Sequence, residues 1–292
     1  MIIAGFDGSA AARAAVEWAA DDALRMGMPL RIVHAVDRWP YEVAALPAQE
    51  WPDAMVGAGE KLLADAEALA RARQATVPVE TRLVQGAPAA VLLDSASEAA
   101  EVVVGSRGLG GFAGMLLGSV SMHVAGHAPC PVIVIRGVQG PARGEIVVGV
   151  EDTLNRVPAL PYAFEQARLR GSMLRALHAW QLPVHVHAPG FVYDMDDIRN
   201  RQLKVVAETI AACRKDYPDV KVVEDVRQAH PVEALAEASA VADLVVVGSH
   251  GRNALEWALL GSVSRGALHH AHCPVAVVPT REHSGDLPTS GT

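Results

Sequence analysis

At 292 residues the chain is long for one core and fits two domains of about 140 residues each. Hydrophobic residues make up 51% of it and aromatics only 4%, a balance rich in Ala and Val that suits helices layered on a Val/Ile-rich parallel sheet. Acidic residues number 33 against 25 basic, a net charge of −8, which disfavours a phosphate-backbone partner such as DNA while leaving room for a compact phosphorylated metabolite at a local site.

From the N-terminus, Ile2–Asp7 reads as a strand, Ser9 as the N-cap of a helix over Ala10–Met26, and Gly27 followed by Pro29 as its stop. Strands are predicted at Leu30–Val36, Pro78–Val84, Val102–Gly105 and Val132–Ile135. Helices are predicted at Asp53–Gln74, Pro88–Ala100 and Ser119–His127. Trp39–Ala54, a proline-bearing connection, and its counterpart Gln181–Asp197 read as mobile loops. Strand and helix alternate throughout, which implies an α/β fold with a parallel sheet, right-handed crossovers and helices on both faces.

The chain then repeats itself. Ile2–Asp7 lies over Ile146–Glu151 at an offset of 144, which also carries Gly27 to Gly171 and His34 to His178. After one deletion the offset is 143, carrying Pro88 to Pro231, Gly105 to Gly248 and Cys130 to Cys273. Between Val102 and Ile135, 18 of 34 positions match Val245–Val278. An internal duplication follows, with domains at 1–137 and 145–280, a linker at 138–144 and a disordered polar tail at 281–292.

The most informative stretch is the end of the fourth strand in each copy. Gly105, two residues, Gly108, nine residues, then Gly118-Ser119 recurs as Gly248, Gly251, Gly261, Ser262. Between Gly108 and Gly118 the copies share only Leu116 and Leu117, so the frame is kept and the filling is not. Glycines after a buried strand, followed by a helix start, can turn backbone N–H groups toward one point and hold an anion. Ser119 and Ser121, with Ser262 and Ser264 in the second copy, can add hydroxyl donors; Arg107, His250 and Arg252 either touch phosphate or face solvent. The plainer alternative is that the glycines only round tight turns and that Asp7 or Ser9 only caps a helix.

No Gly-Lys-Ser/Thr follows these strands, which disfavours P-loop phosphoryl transfer, and the turn after the first strand lacks G-x-G-x-x-G, which disfavours a dinucleotide site. Ser119 and His123 share a helix face without a third acid or a G-x-S-x-G turn, so a serine hydrolase is not indicated. His34 and His178 read as packed, hydrogen-bonded strand histidines. His269, His270 and His272 read as a solvated helix end rather than a zinc site. Cys130, Cys213 and Cys273 form neither C-x-x-C nor an even framework, and Cys130 and Cys273 read as inert core thiols. With no basic n-region at Met1–Asp7 and no membrane-length apolar run, a cytoplasmic protein is expected.

Gly105-x2-Gly108-x9-Gly118-Ser119, with Asp7-Gly8-Ser9 ending the first strand and Cys130-Pro131-Val132 opening the last, resembles the ATP-binding branch of the universal stress protein family. The resemblance covers nearly the whole chain as a tandem pair. It implies a doubly wound five-stranded parallel sheet of order 3-2-1-4-5 in each copy. It further implies Asp7, with the adjoining Gly8 and Ser9, and the backbone of Ala35 near adenine and ribose, and Gly105, Gly108, Gly118, Ser119 and Val120 around ribose and phosphates. In the second copy it implies Ala179, Gly248, Gly251, Gly261, Ser262 and Val263, with Glu151-Asp152 where the first copy has Asp7-Gly8, a change that can block or shift adenine. Implied with these are ATP with Mg, no dedicated catalytic residue, a protein partner, and pairing of the last strands of the two copies, with a homodimer of tandem chains beyond that. The rival readings are a slow ATPase or another ATP-using enzyme of this architecture, and a nucleotide-free interaction scaffold.

Overall fold

A computed structural model describes residues 1–37, 53–109, 117–136, 140–151, 158–182, 194–249 and 260–279. The first repeat contains β1 (Ile2–Gly5), α1 (Ala10–Met26), β2 (Leu30–Val36), α2 (Asp53–Arg73), β3 (Val79–Gln85), α3 (Pro88–Ala96), β4 (Glu101–Gly105), α4 (Ser119–His127) and β5 (Val132–Ile135). The second contains β6 (Glu145–Gly149), α5 (Ala159–Arg170), β7 (Met173–Trp180), α6 (Met195–Asp216), β8 (Val222–Gln228), α7 (Pro231–Ser239), β9 (Leu244–Gly248), α8 (Ser262–His270) and β10 (Val275–Val278).

Local chemistry sets the helix ends. Ser9 Oγ accepts the Ala12 N–H at 3.1 Å and starts α1, and Gly27 at φ 63° closes it, as Gly171 at φ 61° closes α5. Pro88 and Pro231 open α3 and α7 at the first helical turn, where a missing N–H is harmless.

The strands form one sheet in the order β3-β2-β1-β4-β5-β10-β9-β6-β7-β8. Each repeat thus has the order 3-2-1-4-5 expected from the resemblance, with parallel pairing inside it. The two halves meet where β5 pairs antiparallel with β10, Val134 opposite Val275 and Val132 opposite Val277. That pairing covers two apolar edges that would otherwise be templates for aggregation. Residue parity along β5 and β10 sends Ile133 and Ala276 into a core beneath α1, α2, α5 and α6, and Val132, Val134, Val275 and Val277 into a core beneath α3, α4, α7 and α8. Both cores run through both repeats.

Several boundaries differ from the sequence reading. β1 ends at Gly5 rather than Asp7: Phe6 N–H makes the last bond to β2, at Val33 O, and the chain then turns toward α1 with the Asp7 carboxylate on Ser9 N–H. α3 ends at Ala96 rather than Ala100; Glu98 N and Ala99 N donate back to Ser95 O and Ala96 O in a tightened last turn, and Ala100 N crosses to Met1 O. The join between repeats is fixed at its far end, since the Asp243 carboxylate accepts the backbone N–H groups of Arg143 and Gly144 at 2.7 Å each. Most of the two long connections read as mobile, and the tail, lie outside the described residues. Among the described residues no helix is long and apolar enough to cross a membrane.

Candidate functional site

The carboxyl ends of β1 and β4 are adjacent, and chain order reverses between them. In an open parallel sheet that is where a crevice forms. A cavity of about 510 Å³ lies there, within the range of small-molecule sites. Phe6, Val33, Leu92, Val104 and Leu117 give it apolar walls, and Asp7, Arg107 and Ser119 add polar lining.

Ten of the eleven first-copy candidates converge on this cavity or its rim. Asp7, Ala35, Gly105, Arg107, Gly108, Gly118, Ser119, Val120 and Ser121 line it. Ser9 joins its rim through a hydroxyl that donates to Arg107 O at 3.3 Å. Gly8 turns the loop between Asp7 and Ser9 at φ 87°, left-handed backbone that an L side chain rarely adopts.

Gly105 and Gly108, expected to turn backbone N–H groups toward one point, act in the structure by closeness. Neither has a positive φ. A Cβ on Gly105 would stand 2.6 Å from Ala11 C and 2.8 Å from Ala12 N, so the absent side chain lets the first turn of α1 lie on the end of β4. A Cβ on Gly108 would stand 2.4 Å from Asp7 Oδ2. Asp7 spans the gap between the loops: Oδ1 accepts Ser9 N–H at 2.9 Å and Oδ2 accepts Leu109 N–H at 3.1 Å.

Gly118 is the N-cap of α4 with φ −80° and ψ 152°, and its own N–H donates to Ser106 O at 2.7 Å. A glycine cap has no side chain to offer, so no side-chain hydrogen bond caps α4. The N–H groups of Ser119, Val120 and Ser121 belong to the first turn, which has no intrahelical acceptor, and all three residues line the cavity. This is the arrangement in which a helix end attracts an anion, at about 0.3–1 kcal/mol for the dipole alone. By contrast Ser9 caps α1.

The sequence reading gives Ser121 as a hydroxyl donor to the ligand. The structure commits that proton elsewhere: Ser121 Oγ donates to Gly105 O at 2.6 Å, pinning α4 to the end of β4. Ser264 makes the same bond to Gly248 O. Ser119 remains exposed at the helix start.

The second repeat reproduces the backbone bonds at the end of its fourth strand and at the start of the helix that follows. Ser249 N donates to Val278 O at 2.7 Å as Ser106 N donates to Ile135 O at 2.9 Å. Gly261 N donates to Ser249 O at 2.8 Å, and Gly261 caps α8 without a side-chain bond, leaving Ser262, Val263 and Ser264 at its first turn. His178 Nδ1 lies 2.9 Å from Val150 O as His34 Nδ1 lies 2.7 Å from Phe6 O, and His178 Nε2 further meets Gln202 Oε1 at 3.0 Å. Both strand histidines are therefore hydrogen-bonded structural groups. Glu151 and Ala179 are half-buried at the ends of β6 and β7. Gly251, with His250 and Arg252, lies outside the described residues.

Two guanidinium groups act on each other beside the first cavity. Arg136 follows Ile135, whose carbonyl accepts Ser106 N–H beside Arg107. Burial, and next the Arg107 guanidinium, hold Arg136 below the ordinary arginine range. Burial, then Arg136, His270 and Arg265, likewise hold His269 below the usual histidine value. Among the described residues no group of three or more His, Cys, Asp or Glu is placed to hold a metal ion. Burial pushes Cys130 and Cys273 up to about 12, so both stay protonated thiols.

Sequence reasoning missed the walls. Phe6, Val33, Pro88 and Leu92 line the cavity, yet each also reads as an ordinary core or helix-start residue. The only signal that could have found them is their place at strand ends that share one edge of the sheet.

A family model described as "Universal stress protein family" matches residues 1–136 and again 143–279. The chain is 36% identical over 287 residues to a universal stress protein of Mycobacterium tuberculosis, covering 94% of this chain and 96% of that protein. A universal stress protein of Mycolicibacterium smegmatis is 35% identical over 291 residues, covering 96% and 97%. Among solved structures, a universal stress protein from Archaeoglobus fulgidus superposes with a TM-score of 0.69 at 20% identity, covering 95% of each chain.

Proposed function

The chain belongs to the universal stress protein family, and from that premise we propose that it is an ATP-binding member acting as a nucleotide-dependent sensor or signalling module in stress adaptation or growth regulation. The carrying observation is the glycine-capped start of α4, whose first-turn amides open into a cavity of about 510 Å³ without any lysine. Adenine would lie against Val33, Ala35, Pro88 and Leu92, and the phosphates would sit over Gly118, Ser119 and Val120 with Arg107 beside them.

The residues present fit such a ligand: apolar walls for the base, and uncapped N–H donors with a guanidinium for the phosphates. Mg would arrive on the phosphates, keeping several of its waters as it does in nucleotide sites. This chain's residues bind and orient, and slow hydrolysis would draw on phosphate positioning and the metal alone. The domains proposed are 1–137 and 145–280, joined by 138–144, in a cytoplasmic protein that pairs with a second tandem chain and signals to a protein partner. The second site, with Glu151 where the first has Asp7, is proposed to bind the same ligand more weakly.

Denaturing the purified protein and identifying the released small molecule by mass spectrometry tests this reading. ATP in stoichiometric amount, with calorimetric rebinding, supports it. Protein that carries no nucleotide and shows no heat of binding with ATP overturns it and revives the empty-scaffold reading.

A further inference from the structure

The repeat places Trp18 of α1 and Tyr162 of α5 at equivalent positions, and likewise Asp22 and Gln166, with an offset of 144 in both cases. These helices meet where the two halves join, and there the equivalence breaks. Tyr162 donates its hydroxyl proton to Glu101 Oε2 at 2.9 Å. The position in the second repeat that answers Glu101 is Leu244, at the offset of 143. Trp18 Nε1, the counterpart donor, is accordingly buried with no acceptor among the described residues.

Glu101 opens β4 at 0% exposure and Asp22 is 1% exposed. Asp22 is held from both repeats: Arg25 Nη1 donates to Oδ1 at 2.7 Å, while Arg170 Nη2 from α5 reaches Oδ1 at 2.6 Å and Oδ2 at 2.8 Å. Arg170 also lies 5.1 Å from the centre of the Trp18 ring and donates to Gln166 Oε1. Glu101 Oε1 meets no donor among the described residues, and a further side-chain hydrogen bond, between Glu101 and the Asp22 carboxylate, needs a proton on one of the two. The titratable or charged groups facing Glu101 are thus Asp22 of α1 with Arg25 beyond it, Tyr162 and Arg170 of α5, and Cys130 ahead of β5.

A second carboxylate beside Asp22, in a space that excludes water, would have to share guanidinium charge already engaged. A neutral carboxyl fits there without that conflict. We propose that Glu101 is a proton-operated latch between the two repeats: protonated, it seats the α1–α5 junction, and ionised, it loosens that junction while leaving the cradle at the opposite end of β4 in place.

Burial, and next the charge on Asp22, push the Glu101 carboxyl up to about 8, while the Tyr162 hydrogen bond and Arg170 pull the other way. The unfolded chain gives up this proton near the ordinary value of 4.5 and the folded chain keeps it to about 8. Between those values the folded state binds more protons, so stability falls as pH rises, by up to about tenfold in the folding equilibrium per pH unit, and levels off above the folded value.

The test follows the protonated-carboxyl infrared band of the full chain across pH, together with hydrogen exchange of α1 and α5 corrected for intrinsic rates. The expected result is a band present at neutral pH, absent in Glu101→Gln, with exchange protection that declines toward alkaline pH in the wild type and stays flat in the variant. Tyr162→Phe serves as a second variant. Losing that donor should move the midpoint of band loss upward, which loss of packing alone would not do. Band loss already complete in the ordinary carboxylate range, or equal pH slopes in wild type and Glu101→Gln, would overturn the latch.

Discussion

The carboxylate of Asp7 accepts the backbone N–H of Leu109 at 3.1 Å, closing a link across 102 positions of sequence between the loop after β1 and the loop after β4. With the Ser9 hydroxyl on Arg107 O, that contact ties the two loops together, and it explains why position 108 carries no side chain.

Gly108→Ala should therefore act on the site before the fold. The new Cβ, 2.4 Å from Asp7 Oδ2, pushes the carboxylate off Leu109, and a charge-assisted hydrogen bond of about 1.5–3 kcal/mol is lost. The expected outcome by calorimetry is ATP affinity reduced by about tenfold or more, with the melting temperature lowered by only a few degrees.

Gly105→Ala should act on the fold first. Its Cβ meets the backbone of Ala11 and Ala12, which cannot rotate away, and overpacking of this kind costs about 1–3 kcal/mol. Gly149→Ala is the internal control, because its Cβ meets only side-chain methyl carbons at 3.7 Å, an ordinary contact. Urea unfolding should show a clear loss for the first and little change for the second.

Gly118→Asp separates binding from stability. The backbone at φ −80° and ψ 152° accepts any residue, and the nearest atom to a new Cβ is 3.4 Å away. Aspartate there caps α4 and gains a few tenths of a kcal/mol over glycine. It also puts a negative charge where the phosphates would lie. Unchanged or slightly raised stability, with ATP binding abolished, is the expected pair of results.

Thiol labelling of the native protein should discriminate sharply. Cys130 and Cys273, buried and pushed up to about 12, should resist an aromatic disulfide reagent until the chain unfolds. Cys213, half-buried on α6, should be the first to react.

Much of the architecture was legible because the signals were local and stated twice. Ser9, Gly27 and Pro88 mark helix ends by their own backbone chemistry, and two copies of Gly-Ser-Val-Ser separated the frame from its variable filling. The edge pairing of β5 with β10 followed from two short apolar strands that each needed a cover. What stayed hidden was chemistry between distant segments. Nothing near Gly105 in sequence announces the backbone of Ala11, and Ser121 looks like any first-turn serine until Gly105 O is seen above it. The Glu101–Asp22–Tyr162–Arg170 cluster joins four residues from three elements and both repeats, a juxtaposition that periodicity cannot express.

The central claim is that main-chain amides at a glycine-capped helix start hold a polyphosphate. Amide resonances of the labelled protein titrated with ATP and, separately, with adenosine test it most directly. The account predicts large shifts at Ser119, Val120 and Ser121 with ATP, smaller ones at Ser262 and Val263, and much smaller ones at all five with adenosine. Saturable ATP binding that leaves those amides unmoved would contradict it.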